Sequence, residues 1–346
     1  MKVVLAQLNF TVGDFAGNSE KIVKVLNQYC ESDETLVVFP ELCVCGYPAE
    51  DLVLRPEFVH KSLIFTEKII EQTEGMKCTA VISSPWKSSG KVYNCTMLVE
   101  NGKIIHKQYK HDLPNYGVFD EKRVFSSGEP PKIFEFKGRK IAMMICEDTW
   151  NGELSKALKG AEFVISVNAS PFERIKHNKR LRVTQKVVSN TQAPIFYVNQ
   201  VCGHDDLVFD GGSMVITAKG KTHKQMKHFE EDISEFNIED VHNSKADSLY
   251  TIDEDEHLYR AMMLGLKDYC YKNSFAGVVL GLSGGIDSAL TAVIAADALG
   301  KDQIKLFMMP SKYTSTESLQ DADQLSRNID IPLESINIEP IVSSYM

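Results

Sequence analysis

Positive charge, long apolar runs and paired cysteine motifs are what this 346-residue chain has little of. No stretch reaches the roughly 20 consecutive apolar residues that span a bilayer, so no membrane-crossing helix is expected. The opening Met1-Lys-Val-Val-Leu-Ala-Gln-Leu8 is a short apolar run with polar and acidic residues soon after it. It reads as a first strand, not as a secretory leader. Lys and Arg number 38 against 47 Asp and Glu, a formal charge of −9, which argues against nucleic acid or an anionic membrane as the main partner. The eight cysteines include one C-x-C (Cys43, Cys45) but no C-x-x-C pair and no His-spaced partner. That pattern argues against zinc and fits a reducing, cytoplasmic compartment. No internal repeat or low-complexity segment is evident. What remains is ordinary globular composition, 43% hydrophobic and 25% charged, at a length that favours two domains.

The stretch Met144-Ile-Cys-Glu-Asp-Thr-Trp150 follows the β-leaning run Lys140–Ile145 and precedes a helix-like segment with Leu154, Ala157 and Leu158. A cysteine on a turn between a buried strand and a helix is well placed to be a nucleophile. The turn exposes the sulfur, and unpaired N–H groups at the helix start favour thiolate. A lone cysteine there is also a common core residue, so its company elsewhere in the chain decides.

Strands are expected within 1–10, 34–41, 79–83, 92–99, 103–109, 161–169, 194–199 and 212–217. A helix is expected over 18–29, a basic helix through Arg182, a hairpin turn at Asn101-Gly102 and a tight turn at 208–212. Strands alternating with helices, plus several hairpins, predict a layered α/β sandwich and not a purely parallel sheet. Glu41 closes the 34–41 strand, where burial would demand a partner. Lys110 opens a loop of charged and aromatic residues. Residues 219–256 turn acidic and poor in apolar side chains and read as an inter-domain connector. A helix follows, with Leu258, Met262, Leu266 and Tyr269 on one face.

The pattern then becomes strand (276–282), glycine-rich turn (283–288), helix (289–299), strand (304–309), helix (316–329) and the start of a third strand (334–338). A turn of small residues leading into a helix N-terminus is a ready anion site. Ser283-Gly-Gly-Ile-Asp-Ser288 is neither a G-x-x-x-x-G-K-[ST] loop nor a G-x-G-x-x-G fingerprint. It holds no lysine, and Asp287 would repel a phosphate unless a divalent cation bridged them. These residues resemble the pyrophosphate loop of the ATP pyrophosphatase family, whose members cleave ATP between the α- and β-phosphates to adenylate a substrate. The resemblance implies ATP and Mg2+. Gly281, Leu282, Ser283, Gly284, Gly285, Ile286, Asp287 and Ser288 would hold the nucleotide, with Asp287 the metal ligand. It also implies a carboxyl group activated as an acyl-adenylate and attacked by ammonia.

A domain that releases ammonia is the natural companion. Phe39-Pro-Glu41, Lys110-His-Asp-Leu-Pro-Asn115 and Ile145-Cys-Glu-Asp-Thr-Trp150 resemble the Glu–Lys–Cys triad of the nitrilase family of carbon–nitrogen hydrolases. In order and spacing the chain is similar to the family of glutamine-dependent NAD+ synthetases, over nearly its whole length and including Met309-Pro-Ser311. The resemblance implies Cys146 as nucleophile, Glu41 as base, and Lys110 with a backbone N–H near Glu147 as oxyanion donors. Tyr116, Ser170 and Lys176 are the implied glutamine-binding residues, and Glu121 is a candidate auxiliary carboxylate. The implied substrates are glutamine, ATP and deamido-NAD+, and the implied assembly is a homo-oligomer.

The implied fold is a nitrilase-like four-layer αββα sandwich over residues 1–245. An incomplete doubly wound parallel-sheet domain follows over 246–346, with three strands where about five are usual. The loop-bearing strand would then have one side unpaired. The expectation is of a shortened chain, able to hydrolyse glutamine but not to make NAD+. Other amidotransferases fit poorly, because position 2 is Lys2 and His204 is followed by Asp205-Asp206. A stand-alone amidase or nitrilase with a C-terminal remnant, and a non-catalytic nucleotide-binding regulator, are the alternatives.

Overall fold

The computed structural model describes residues 1–244 and 253–345. The expected domain boundary at 245/246 lies outside the described residues. Those described divide into two compact units, one of residues 1–202 with 208–244, the other of residues 253–345 with the turn 203–207.

The first unit opens with β1 (Lys2–Gln7), α1 (Phe15–Tyr29), β2 (Thr35–Val38), α2 (Pro56–Gln72) and the meander β3 (Thr79–Ser88), β4 (Lys91–Glu100), β5 (Lys103–Tyr109). One turn of helix, α3 (Glu121–Val124), precedes β6 (Phe134–Phe136), β7 (Arg139–Ile145), α4 (Gly152–Lys156), β8 (Phe163–Asn168), α5 (Lys176–Thr191) and β9 (Ile195–Asn199). The rest is β10 (Val201–His204), β11 (Leu207–Asp210), β12 (Met214–Ile216), β13 (Thr222–Gln225), β14 (Asp232–Asn237) and α6 (Ile238–Asn243). Two six-stranded sheets result, ordered β14-β1-β2-β3-β4-β5 and β13-β12-β9-β8-β7-β6.

Period-2 alternation sorts the side chains into layers. Val3, Leu5, Leu36 and Val38 from the first sheet meet Ile141, Met143, Ile145, Ile165 and Val167 from the second, a dry layer between sheets. The intervening residues Val4, Ala6, Val37 and Phe39 pack outward on Ile22, Leu26, Ile69 and Ile70 of α1 and α2. On the other side Ala142, Met144, Val164 and Tyr197 pack on Leu154, Leu158, Val187 and Val188. Because both faces are covered, the strands read as continuous apolar runs. The unit is an αββα sandwich, as the sequence reading had it.

Residues 219–243 are no connector. β13 extends the second sheet, and β14 pairs antiparallel with β1 in the register Val3↔Phe236. The acidic residues that suggested a linker lie on the solvent side, where Glu235 meets Lys2 at 2.6 Å. Phe236, Ile238 and Val241 point into the core. The segment 208–212 is also more than a turn: it ends β11, and only Gly211 and Gly212 take left-handed φ of 66° and 62°.

The second unit comprises α7 (Glu254–Lys272), β15 (Val278–Gly281), α8 (Ile286–Leu299), β16 (Ile304–Met308), α9 (Thr316–Ile329), β17 (Leu333–Ser335) and α10 (Glu339–Ser344). Its three strands form a parallel sheet in the order β15-β16-β17. Leu282, Ala292, Ala295, Leu306, Met308 and Ala322 make its core.

Ile165 is fully buried in the inter-sheet layer. Ile165→Ala should destabilise the first unit by about 2–5 kcal/mol through lost burial and a residual cavity, read as a lowered urea midpoint.

Candidate active site

Strand ends of the first unit converge their next residues on one buried cluster. Glu41 follows β2 by three residues, Lys110 follows β5 directly, Cys146 follows β7 directly, and Ala169 follows β8 directly. Glu41, Lys110 and Cys146 are all buried. The Lys110 Nζ donates to Glu41 Oε1 at 2.8 Å and to Glu121 Oε1 at 2.8 Å. Glu41 Oε1 also accepts from Asn94 Nδ2 at 2.7 Å, and its Oε2 accepts from the Ala169 N–H at 3.0 Å. Tyr47 OH donates to Glu121 Oε1 at 2.8 Å. An ammonium has three donors. Two are used here, to Glu41 and Glu121, which leaves a third.

Electrostatics divide the labour. Burial alone would lower the Lys110 pKa, but Glu121 and then Glu41 outweigh it and hold the ammonium charged. Burial raises the Glu121 carboxyl, and Glu41 adds to the rise against the pull of Lys110. The sequence reading had the turn favouring thiolate; the structure corrects it. Cys146 heads a 3-10 turn (Cys146–Trp150), and the helix after it is only five residues long. Burial, then the charge of Glu41, push its thiol well above the usual range, against opposing pulls from Lys110 and the Ala169 N–H. The sulfur therefore keeps its proton until a base removes it. Cys146 also sits at φ 44°, a left-handed conformation that non-glycine residues adopt rarely.

Of the remaining expected residues, Tyr116 lies on a cavity of about 720 Å³ lined also by Asp112, Lys122, Glu147, Trp150 and Asn151. Its hydroxyl donates to Glu147 at 2.9 Å. Glu147 was not assigned a role of its own from sequence; adjacency to Cys146 was the available signal. Ser170 is buried behind the cluster, its hydroxyl accepting from Arg180 Nε at 3.1 Å. Lys176 is paired with Glu173 at 2.7 Å, with its Nζ 5.4 Å from the centre of the Trp150 ring. Arg180 was missed. It is fully buried, donates to the Ser170 and Pro171 carbonyls at 2.7 and 2.9 Å, and pairs with Asp210 at 2.7 Å.

In the second unit residues 281–288 form the turn from β15 into α8. Gly285 caps the helix. The Ser283 N–H donates to Ser288 Oγ at 3.1 Å, the Gly285 N–H donates to Ser283 Oγ at 3.2 Å, and the two hydroxyls lie 2.9 Å apart. Leu282 points into the core, so only its backbone faces the loop. Asp287 is exposed in the first turn of α8. Among the described residues no group of three His, Cys, Asp or Glu is placed to hold a metal by itself. Oxygen donors around a single carboxylate nonetheless suit Mg2+, which takes one or two carboxylates and fills its shell with water and phosphate.

A family model described as carbon–nitrogen hydrolase matches residues 2–243, and one described as NAD synthase matches 258–346. The chain is 38% identical over 351 residues to a glutamine-dependent NAD(+) synthetase of Acinetobacter baylyi, covering 100% of this chain and 64% of that protein. It is 38% identical to the protein of that name from Aquifex aeolicus, covering 100% and 67%. It thus spans about two thirds of these relatives' length. The solved glutamine-dependent NAD+ synthetase of Acinetobacter baumannii, in complex with ADP, superposes with a TM-score of 0.93 at 37% identity, over 100% of this chain and 66% of that one. An amidase from Nesterenkonia sp. shares the fold at 23% identity and a TM-score of 0.59, over 68% of this chain and 89% of its own.

Lys110→Met leaves two buried carboxylates without their counter-charge, a loss of about 3–5 kcal/mol. The Glu121 carboxyl, already raised by burial and by Glu41, loses the opposing pull of Lys110 and rises further, so the folded state binds more protons and stability falls as pH rises. Urea midpoints taken from pH 5 to pH 8 should drop more steeply than in the parent. In the loop, Gly284 has φ 80° and a Cβ there would lie 2.3 Å from the Ser318 carbonyl oxygen. Gly284→Ala should cost the second unit more than about 1 kcal/mol, measurable as a lowered thermal midpoint.

Proposed function

This chain belongs to the carbon–nitrogen hydrolase family, and on that premise we propose that its first unit hydrolyses the carboxamide of glutamine and supplies ammonia to an ATP-dependent ligase reaction. The observation that carries the reading is the buried Glu41–Lys110 pair beside Cys146. Glu41 takes the thiol proton as Cys146 attacks the carboxamide carbon, and the free donor of Lys110 and a backbone N–H near Glu147 stabilise the oxyanion. Collapse of the tetrahedral species passes the proton to the leaving nitrogen, releases ammonia and leaves a thioester. Glu41 then activates water, which releases glutamate and regenerates the thiol. Tyr116 and Glu147 line the approach, and the Glu147 carboxylate suits the α-ammonium of an amino-acid substrate.

The second half of the proposal is amidation of deamido-NAD+ through its acyl-adenylate, with release of AMP and pyrophosphate. It is supported by the NAD synthase match over 258–346 and by full-length similarity to proteins named glutamine-dependent NAD(+) synthetase. Phosphate oxygens would take over the Ser283 and Gly285 N–H groups that the serine hydroxyls now satisfy. Asp287 would hold Mg2+, with the Ser283 and Ser288 hydroxyls close by. When bound, the ion would neutralise charge on the pyrophosphate. We further propose residues 1–245 and 246–346 as the two functional domains, a cytoplasmic site of action, and a homo-oligomeric assembly.

Glutamate release from glutamine tests the first half. Cys146→Ala should abolish it, a fall of at least about a thousandfold for loss of a covalent nucleophile. Release that survives the substitution would overturn the assignment. A preference for some other small amide over glutamine would favour a stand-alone amidase.

A further inference from the structure

The nucleophile turn and the lysine loop come from opposite sheets, and one side chain ties them together. Asp148 is fully buried two residues beyond Cys146. Its Oδ1 accepts from the His111 N–H at 3.1 Å and the Asp112 N–H at 2.8 Å, the two residues directly after Lys110. Its Oδ2 accepts from the Ile145 N–H at 3.2 Å, the residue directly before Cys146. A parallel tie lies just outside, where Asn151 Nδ2 donates to Asp112 Oδ2 at 2.8 Å. The lysine segment is held from its other side by the Lys110 N–H donating to the Asn94 carbonyl at 2.8 Å and the Gly128 N–H donating to the Lys110 carbonyl at 2.9 Å.

We propose that Asp148 is a positioning residue that fixes the Lys110 ammonium relative to the Cys146 sulfur, acting through the backbone on both sides of the gap and touching no substrate. The inference rests on the glutaminase reading for its rate effects but not for its effect on the thiol. The chemistry requires this kind of fixation. Lys110 has one donor left for an oxyanion, and a hydrogen bond to a developing charge loses most of its value when the donor moves by an ångström. Cys146 is held at a left-handed φ of 44°, and the Asp148 carboxylate bonds the backbone N–H of the residue just before it. A carboxylate can accept all three N–H groups at once. An asparagine cannot, because its amide nitrogen would face one of those N–H groups donor to donor.

The test uses the whole 346-residue chain and two readouts. One is the rate of Cys146 alkylation by iodoacetamide at pH 8, followed by peptide mass spectrometry so that the other seven cysteines do not interfere. The other is glutamate release. Asp148→Asn should slow alkylation about tenfold, and should lower kcat about ten- to a hundredfold with KM for glutamine within about threefold. The sign is diagnostic: removing a nearby negative charge would by itself ease thiolate formation and speed alkylation. Thr149→Val serves as control. It breaks the buried Thr149–Ser166 hydroxyl contact of 2.8 Å in the same turn without touching the lysine loop, and should lower the melting temperature while alkylation stays at the parent rate. If Asp148→Asn does not fold, Asp112→Ala, which cuts the outer tie to Asn151 and a long 4.0 Å contact with His111 but leaves the Asp148 bonds in place, should give a smaller slowing in the same direction. Alkylation at or above the parent rate in the folded variant would overturn the proposal, as would equal slowing in Thr149→Val. Slowed alkylation with no glutamate release from the parent would sustain the proposal and count against the glutaminase reading alone.

Discussion

The first unit is organised around one ammonium placed between two carboxylates, all three buried. Moving a charge of this kind into a protein interior costs several kcal/mol, recovered only when partners sit at hydrogen-bond distance and their own lone pairs are filled. Lys110 has Glu41 and Glu121 at hydrogen-bond distance; both oxygens of Glu41 are bonded, by Lys110, Asn94 and Ala169, whereas Glu121 is bonded by Lys110 and Tyr47 at Oε1 alone and its buried Oε2 has no partner. The cluster carries one more negative than positive charge when both carboxylates are ionised. Burial first, and then the charge of Glu41, hold the cysteine as a thiol and not as a thiolate. On the proposed mechanism, a protonated sulfur next to a buried carboxylate is a pair set for proton transfer once a substrate is present to receive the sulfur.

Such a cluster constrains the scaffold. Its members are contributed at the ends of β2, β5, β7 and β8, two from each sheet, so the sheets must be fixed relative to one another to within a fraction of an ångström. The inter-sheet layer provides this. Val3, Leu5, Val38, Ile145, Ile165 and Val167 interlock with almost no solvent exposure, and close packing of branched side chains resists sliding. The helices on both outer faces let the strands be largely apolar on both sides; the buried polar exceptions Ser83, Ser84, Thr96 and Ser166 pair with hydroxyl partners, and the charged members of the cluster come just past the strand ends.

This arrangement also determines what could be read from the chain in advance. Strand and helix positions were legible because local periodicity reports them: α9 spans the residues expected from spacing alone, and Asn101-Gly102 turns as its composition demands, with φ of 46° and 71°. The segment 219–243 was misread because its apolar residues are few and its register against β1 is a contact across most of the chain. The partners of the charged cluster were hidden for the same reason. Asn94 lies 53 residues from Glu41 and Ala169 lies 128 residues away, and neither has a local signature. Arg180 looked like one cation of a basic helix, although it is among the largest fully buried side chains of the protein.

The two units solve opposite problems with backbone N–H groups. In the first, the Ala169 N–H is committed to Glu41 in a dry site, where an unpaired donor would be expensive and a fixed one is most useful to a reacting centre. In the second, the N–H groups of Ser283 and Gly285 are satisfied by hydroxyls of their own loop, on an open surface at the start of α8. A serine oxygen is a weaker acceptor than a phosphate oxygen, so a polyanion can displace it while the loop backbone keeps its shape. Gly284, pressed against the Ser318 carbonyl at positive φ, holds that shape. On the proposed function, a preset buried cluster suits a reaction at the carboxamide of a small substrate, whose few atoms offer little binding energy to reorganise the protein. An exchangeable set of hydrogen bonds suits a large charged ligand that brings its own acceptors and has contacts to spare.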